Sequence, residues 1–397
     1  MSTSLLMFSP ALPVAEPDNA GTRYVRDVLR ALPSHLEPTV VVPDGPAVQR
    51  ARTQGPTAKH RILPHPPEAG PRIGGRLRGL WDGAPRSPRE FAWHLDHSPD
   101  LQRAVATADV IDLQWIEQAE LIRRLREINP DARIITTVHD VLSQRFGRQA
   151  AASTDSARRL RWRWAVQRSR RVEQRMMDAS DTVVVLSDKD RRLLPPGRAD
   201  VVSVVPPLAR SPRQPKRTPD KATILFVGYL ARWENEEGLV WFLTDVLPRV
   251  RARRPEARMI IAGDGLRDSV RRAAAKADAE LLGFVEDLEP LYRSATVSVI
   301  PLNLGAGVKF KTVDALAAGV PVVTTPVGAE GIGEHRADRG AGLFQAVTED
   351  PAAFAQAVLE ALNRPEAASR RAEESQEWVR SEYGRDQFRD TVQAIYG

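Results

Sequence analysis

Ten residues, Gly305–Asp314 (GAGVKFKTVD), set two glycines, two lysines and a carboxylate between an apolar strand and a helix. Glycines ahead of a helix let backbone N–H groups approach a ligand closely, and the partial positive charge of the helix terminus favours an anion. Along Gly305-Ala306-Gly307-Val308-Lys309 the backbone would cradle phosphate, with the Lys309 ammonium as a point charge beside a pyrophosphate. Asp314, one turn into the helix, would accept from the two hydroxyls of a ribose. The plainer alternative is a glycine turn in which Lys311 and Asp314 form an i,i+3 surface pair and Lys311 is only a surface lysine. Spacing alone leaves both readings open.

Other residues sit where chemistry is done in α/β proteins, just beyond strand ends. His139-Asp140 follows the apolar run 133–138 and can face a cleft; otherwise Asp140 merely caps the next helix. The segment Pro17-Asp18-Asn19-Ala20-Gly21-Thr22-Arg23 joins the first strand to the first helix. Gly21 permits close approach and Arg23 adds charge, though Asn-Ala-Gly is also a capping turn. Asp188-Lys189-Asp190 has the look of a metal motif, but Ser187 followed by Asp190 reads better as a helix cap. The stretch Arg158–Arg175 carries eight arginines with Trp162 and Trp164. It offers a surface for anionic lipid, with a solvated helix as the preferred reading.

Composition excludes several classes. The chain has no cysteine, so disulfides and thiolate chemistry are out. Its seven histidines form no HxxxH or HExxH spacing, and no metal is expected. Gly263-Asp264-Gly265 lacks the third glycine of a dinucleotide fingerprint, which argues against a nicotinamide oxidoreductase. The net charge of +6 reflects 50 arginines against 7 lysines, a bias of GC-rich bacterial coding, and no nucleic-acid module accompanies it. No apolar run approaches 18 residues and no basic segment precedes Leu5-Leu6-Met7-Phe8, so a cytoplasmic protein is expected, with peripheral membrane contact left open.

The elements that position these residues alternate strand and helix throughout. Strands are expected at 4–8, 38–42, 109–113, 133–138, 182–186 and 201–205, then at 223–227, 258–262, 280–283, 296–301 and 320–325. Helices are expected at 21–32, 117–128, 237–253, 310–318 and 372–396. Pro206–Asp220 holds five prolines in fifteen residues and reads as a connector, and 64–90 as an irregular excursion. The division is thus 1–207, a linker at 208–218, a second domain at 219–380, and a terminal helix over 381–397 placed to return to the first domain. Each domain is expected to be a doubly wound, Rossmann-like parallel sheet, the two facing across a cleft.

From Thr223 to Ile332 the chain resembles the carboxyl-terminal domain of GT-B glycosyltransferases of family 4. The matching pieces are FVGYLARWENEEGLVWFLTDVLP (226–248), MIIAGDG (259–265), LLGFVEDLEPLYRSATVSVIPL (281–302) and GAGVKFKTVDALAAGVPVVTTPVGAEG (305–331). The resemblance implies transfer of a sugar from a nucleotide-sugar donor, with retention and without metal or other cofactor. The acceptor would be a glycan, a lipid-linked sugar or a small metabolite, in polysaccharide or natural-product biosynthesis. It implies that the acceptor domain comes first and that His139 and Asp140 lie near the transferred sugar. The donor would be held by Gly21 and Arg23 from the first domain, and by Gly228, Arg232, Gly305, Ala306, Gly307, Val308, Lys309 and Asp314 from the second. Two departures stand out: the family's Glu-x7-Glu pair is Ala306 and Asp314 here, and its basic pair after the first strand falls at Tyr229 and Asn235. A branch with Gly-x-Gly-x-Lys shares the first departure. A nucleotide-sugar epimerase and a non-catalytic partner keeping the fold remain as alternatives.

Overall fold

The computed structural model describes residues 3–14, 19–44, 48–49, 53, 55, 58–63, 87–197, 202–210, 219, 222–334, 336 and 340–397. Pro17 and Asp18 of the first loop, 64–86 of the excursion, and 211–218 and 220 of the connector lie outside the described residues.

The first half runs β1 (Thr3–Phe8), α1 (Ala20–Ala31), β2 (Leu36–Pro43), β3 (Lys59–Leu63), α2 (Ser87–His97), α3 (Pro99–Ala106) and β4 (Val110–Gln114). A 3-10 segment (Ile116–Leu121) and α4 (Ile122–Ile128) follow, then β5 (Arg133–Val138), α5 (Leu142–Ala152), α6 (Ser156–Ala179), β6 (Thr182–Val185), α7 (Asp188–Leu193) and β7 (Val202–Val204). The second half has β8 (Thr223–Val227), α8 (Trp233–Trp241), a π-helical segment (Phe242–Val246), α9 (Leu247–Arg251), β9 (Arg258–Ala262), α10 (Asp268–Lys276) and β10 (Glu280–Gly283). It continues with α11 (Glu289–Ser294), β11 (Val297–Ile300), α12 (Phe310–Ala317), β12 (Val322–Thr324), β13 (Ala346–Val347), α13 (Pro351–Asn363), α14 (Pro365–Glu382) and α15 (Arg385–Tyr396).

Both sheets are parallel, ordered β3-β2-β1-β4-β5-β6-β7 and β10-β9-β8-β11-β12-β13. Strands such as β5, β6 and β11 are buried along almost their whole length, as befits a parallel sheet covered by helices on both faces. In each sheet the winding reverses at its centre, between β1 and β4 and between β8 and β11. The crevice beyond these reversal points is where a doubly wound sheet binds ligands. The described loop residues there are 9–14, 19 and 115 in the first half, and 228–232 and 301–309 in the second.

Several expected elements are interrupted. Glu117–Ile128 is a 3-10 segment followed by α4. The helix expected at 237–253 begins at Trp233 and widens into a π turn just ahead of Pro248, whose ring cannot continue α-helical hydrogen bonding. The terminal helix is two, α14 and α15, divided around Gly384. β3 and the two-residue β13 are short edge strands absent from the sequence reading.

One buried apolar cluster is shared by the two halves. It joins Leu5, Tyr24, Val28 and Val184 to Leu225, Val308, Val313, Ile332, Phe388 and Tyr396. α15 packs on α1, with the Phe388 ring edge-on to Tyr24, and Tyr396 donates its hydroxyl to Asp112 of β4 at 2.7 Å. The chain's last helix therefore belongs physically to the first sheet.

Candidate functional site

The segment 301–309 leaves β11 at the reversal point and enters α12 after Lys309. Gly305 (φ 114°) and Gly307 (φ 70°) hold left-handed conformations that other residues adopt only with strain. Gly307 is also a contact point: a Cβ there would lie 2.6 Å from the His139 carbonyl oxygen and 3.2 Å from Asp140 Cβ. The loop thus presses its backbone on His139-Asp140, and residues from both halves meet. Behind it, a Cβ on Gly238 would lie 2.0 Å from the Pro301 carbonyl oxygen, so α8 can back the loop only with glycine at that place.

His139 stacks flat on Trp115, with centroids 4.0 Å apart and planes at 7°. Its Nε2 is 3.1 Å from Gln114 Oε1, while the Gln114 amide donates to Asp112 at 2.9 Å. An amide oxygen only accepts, so this network assigns the proton to Nε2 and leaves Nδ1 as an acceptor. Burial pushes the imidazole down to about 4, against the pull of Asp140, and keeps it neutral at ordinary pH. Asp140 is not a helix cap: Val141 occupies that position on α5 with no side-chain cap bond. Its carboxylate lies 3.6 Å from Arg145, which is also 3.7 Å from Glu234 of the second half.

Glu117, adjacent in the 3-10 segment, is pushed up to about 7 by burial and then by Asp140. Neither it nor Trp115 was singled out from the sequence. The signal for Trp115 is conformational, a φ of 73° in a bulky residue, and sequence does not display it.

Three residues expected at the donor are engaged by the protein itself. Gly21 makes room for Trp115, since a Cβ there would meet the indole at 2.4 Å, and Asn19 caps α1 by accepting from Thr22 N at 3.0 Å. Gly21 therefore belongs to a capping turn under an aromatic ring. Arg23 does not project toward a phosphate; it grips both Asp314 oxygens at 2.6 and 2.8 Å and donates to the Leu208 carbonyl at 2.6 Å. Asp314, which also accepts from Arg210 N at 3.2 Å, is occupied by protein rather than open to a ribose. This buried pair is a joint between the halves.

Neither lysine lies free on the surface. Lys309 turns back on its own loop, donating to the Ala306 and Gly307 carbonyls at 2.9 and 2.6 Å, with Glu330 at 3.9 Å. Its ammonium is lowered to about 8 by burial, with Lys189, Arg148 and Arg232 adding repulsion against Glu330. Lys311 is no surface lysine: its Nζ donates to Asn235 Oδ1 and stands 4.8 Å over the Phe226 ring. Gly228 leaves space for it, a Cβ there lying 3.0 Å from Nζ. Burial, then Arg232 and Lys309, lower Lys311 to about 7. Arg232 is more exposed and 3.8 Å from Glu234, and Ala306 and Val308 complete the loop.

Glu330 is a hub missed by the sequence reading. It accepts from Arg148 at 2.7 and 2.8 Å and from Gln144 at 3.0 Å, with Lys189 at 3.2 Å, while Arg148 also donates to the Gly305 carbonyl at 2.7 Å. Burial alone would raise Glu330; the Arg148 hydrogen bonds and the charges of Lys189 and Lys309 hold it below the usual carboxylate range. Its hydrogen-bond donors Arg148 and Gln144 lie 182 and 186 residues away in sequence, so no local pattern marks it.

Two further segments carry motifs of a different kind. Ser187 caps α7, its Oγ accepting from Asp190 N at 3.2 Å, and among the described residues no group of three or more potential metal ligands occurs. On α6, Leu160 and Trp164 are exposed, and Trp164 with Arg89, Arg123, Arg124, Arg168 and Arg171 lines a cavity of about 610 Å³ that shares no residue with the loop site. Among the described residues no helix is long and apolar enough to cross a membrane.

Comparison with known proteins fits this geometry. Residues 221–364 match the family model described as Glycosyl transferases group 1. Over 228 residues the chain is 30% identical to a glycogen synthase of Mycobacterium tuberculosis, covering 53% of each chain. Over 124 residues it is 32% identical to an uncharacterized 44.6 kDa protein from the cps region of Klebsiella pneumoniae, covering 29% of this chain and 32% of that one. The chain thus spans about half or less of the length of these curated relatives. Anabaena HepE, solved in complex with UDP and glucose, superimposes over 98% of both chains with a TM-score of 0.70 at 14% identity. The architecture is the two-domain GT-B fold.

Proposed function

We propose that this chain, a GT-B protein whose residues 221–364 match Glycosyl transferases group 1, moves a sugar from a nucleotide-sugar donor to an acceptor. The observation that carries the reading is the left-handed glycine loop at the β8/β11 reversal point, flanked by Lys309, Lys311 and Arg232 and pressed on His139-Asp140. Backbone N–H groups at the start of α12 and these cations would meet the charge that develops on the departing diphosphate. Gly228 and Ala306–Val308 would line the same path.

His139, neutral and held by Gln114 and Trp115, would offer Nδ1 as an acceptor to a sugar hydroxyl. That is a positioning role, and Asp140 would serve it by holding Arg145. The joint of Arg23 with Asp314 and the Glu330 hub would keep the halves together around the donor and limit its hydrolysis by water. Transfer with retention, without metal, in the cytoplasm, to a glycan, lipid-linked sugar or small metabolite belongs to the same proposal. So does peripheral membrane contact through Leu160 and Trp164 of α6, testable by flotation with anionic vesicles.

The test is turnover of UDP-, GDP-, ADP- and dTDP-glucose with oligosaccharide and polyprenyl-phosphate-sugar acceptors, in EDTA, with the product anomer read by NMR. Free nucleoside diphosphate and a product retaining the donor configuration support the reading. An isomerised sugar nucleotide would instead establish the epimerase, and neither product with any donor would favour a non-catalytic protein.

A further inference from the structure

Lysine carries three donors and a full charge, and a buried ammonium is stable only when both are answered. For Lys309 both are: two loop carbonyls accept from it, and Glu330 stands opposite. Lys311 is answered less completely. It has one amide oxygen, Asn235 Oδ1, and the face of Phe226, and among the described residues no carboxylate forms an ion pair with it. Glu234 acts on it only at longer range, while Arg232 and Lys309 both repel it.

The placement is specific. Asn235 and Gly228 lie on the β8 side of the reversal point, and Lys311 reaches them from the first turn of α12 on the β11 side. Glycine at 228 is what leaves the ammonium room at the mouth of this crevice. Asn235 itself is fixed by donating to the Tyr229 carbonyl at 2.6 Å, so its oxygen is aimed at Lys311. A multiply charged anion seated between Lys311, Arg232 and the α12 amino terminus would relieve the repulsion and complete the unanswered charge.

We propose that Lys311, steered by Asn235, is the lysine that binds the donor's diphosphate beside Arg232, and that Lys309 is a brace shaping the loop. This assignment rests on the donor reading given above and refines it by reversing the roles that the residue order suggests.

The experiment is calorimetric titration of the full chain with UDP, GDP, ADP and dTDP and with the matching nucleosides, for wild type, Lys311→Met, Lys311→Arg and Lys309→Met. Lys311→Met is expected to weaken the preferred diphosphate by about 10- to 100-fold, as for a lost charged hydrogen bond. The matching nucleoside should change by less than about two-fold. Wild-type affinity for the diphosphate should fall as pH rises from 7 to 9, because the lysine must take up a proton to bind. In Lys311→Arg that dependence should flatten, and this comparison decides the matter if Lys311→Met does not fold. Lys309→Met should lower the unfolding temperature more than the affinity. Diphosphate affinity unaltered in Lys311→Met, or an unchanged pH slope in Lys311→Arg, overturns the assignment while leaving the donor reading intact. Wild type that binds none of the four diphosphates overturns the donor reading, and the assignment with it.

Discussion

At the scale of single residues, the decisive facts are pairings across the chain. Arg23 and Asp314 are 291 positions apart, have side chains 5% and 9% exposed, and form a bidentate pair. Removing one partner leaves a buried charge, so Arg23→Ala is expected to lower stability in urea unfolding by about 3–5 kcal/mol; a loss below 1 kcal/mol would show the pair to be incidental. Glu117 gives a second prediction. Its folded-state pKa of about 7 lies above the ordinary carboxyl range, so its stabilising contribution is full below pH 4.5 and is lost as pH rises through 7. Glu117→Gln should therefore gain stability over wild type at pH 8 and show little gain at pH 5. Equal effects at both pH values would contradict the burial that raises it.

These pairings explain why the site was only partly legible in sequence. The glycine loop could be read because its chemistry is contiguous: strand, glycines, lysine, helix. Asp314 and Arg23 were assigned to ribose and phosphate because each is the right group at the right local place. The structure gives them to each other, and nothing in the spacing of a carboxylate reveals a guanidinium from another domain. Lys309 and Lys311 lie two positions apart at the entry to α12, so their side chains leave in different directions. Which one faces the crevice follows from Gly228 and Asn235, which are distant in sequence.

At the scale of elements, alternation of apolar strands and helices was enough to read two parallel sheets, and each misplacement has a local cause. The π turn before Pro248 and the break at Gly384 interrupt helices whose apolar period runs on across them. β13 has only two residues, too few for any period. Position along an element also predicts consequence. Gly307→Ala places a methyl group against the His139 carbonyl in a left-handed conformation, itself costing about 1–2 kcal/mol. Turnover should fall at least about 100-fold while the far-UV spectrum is kept, since a loop shifted by about 1 Å misplaces the reacting groups. Wild-type turnover in this variant would mean that the contact between loop and His139 has no functional weight.

At the scale of the molecule, the halves are joined by a shared apolar cluster, by α15 on α1, by Arg23 with Asp314 and by the hub at Glu330. Glu330 is 8% exposed and faces Arg148 and Lys189, so Glu330→Ala leaves cations facing one another. We expect a loss of about 3–5 kcal/mol and a larger radius of gyration by small-angle scattering in the unliganded protein. An unchanged radius would show that the other joints hold the halves without Glu330. The central claim, that the crevice beyond β8 and β11 takes a nucleotide sugar, is tested most directly by thermal shift. UDP-, GDP-, ADP- and dTDP-glucose would each be added to wild type and to Lys311→Met. The account predicts that at least one raises the wild-type unfolding temperature by several degrees and that this rise is lost in the variant. No rise with any of the four in the wild type would contradict it.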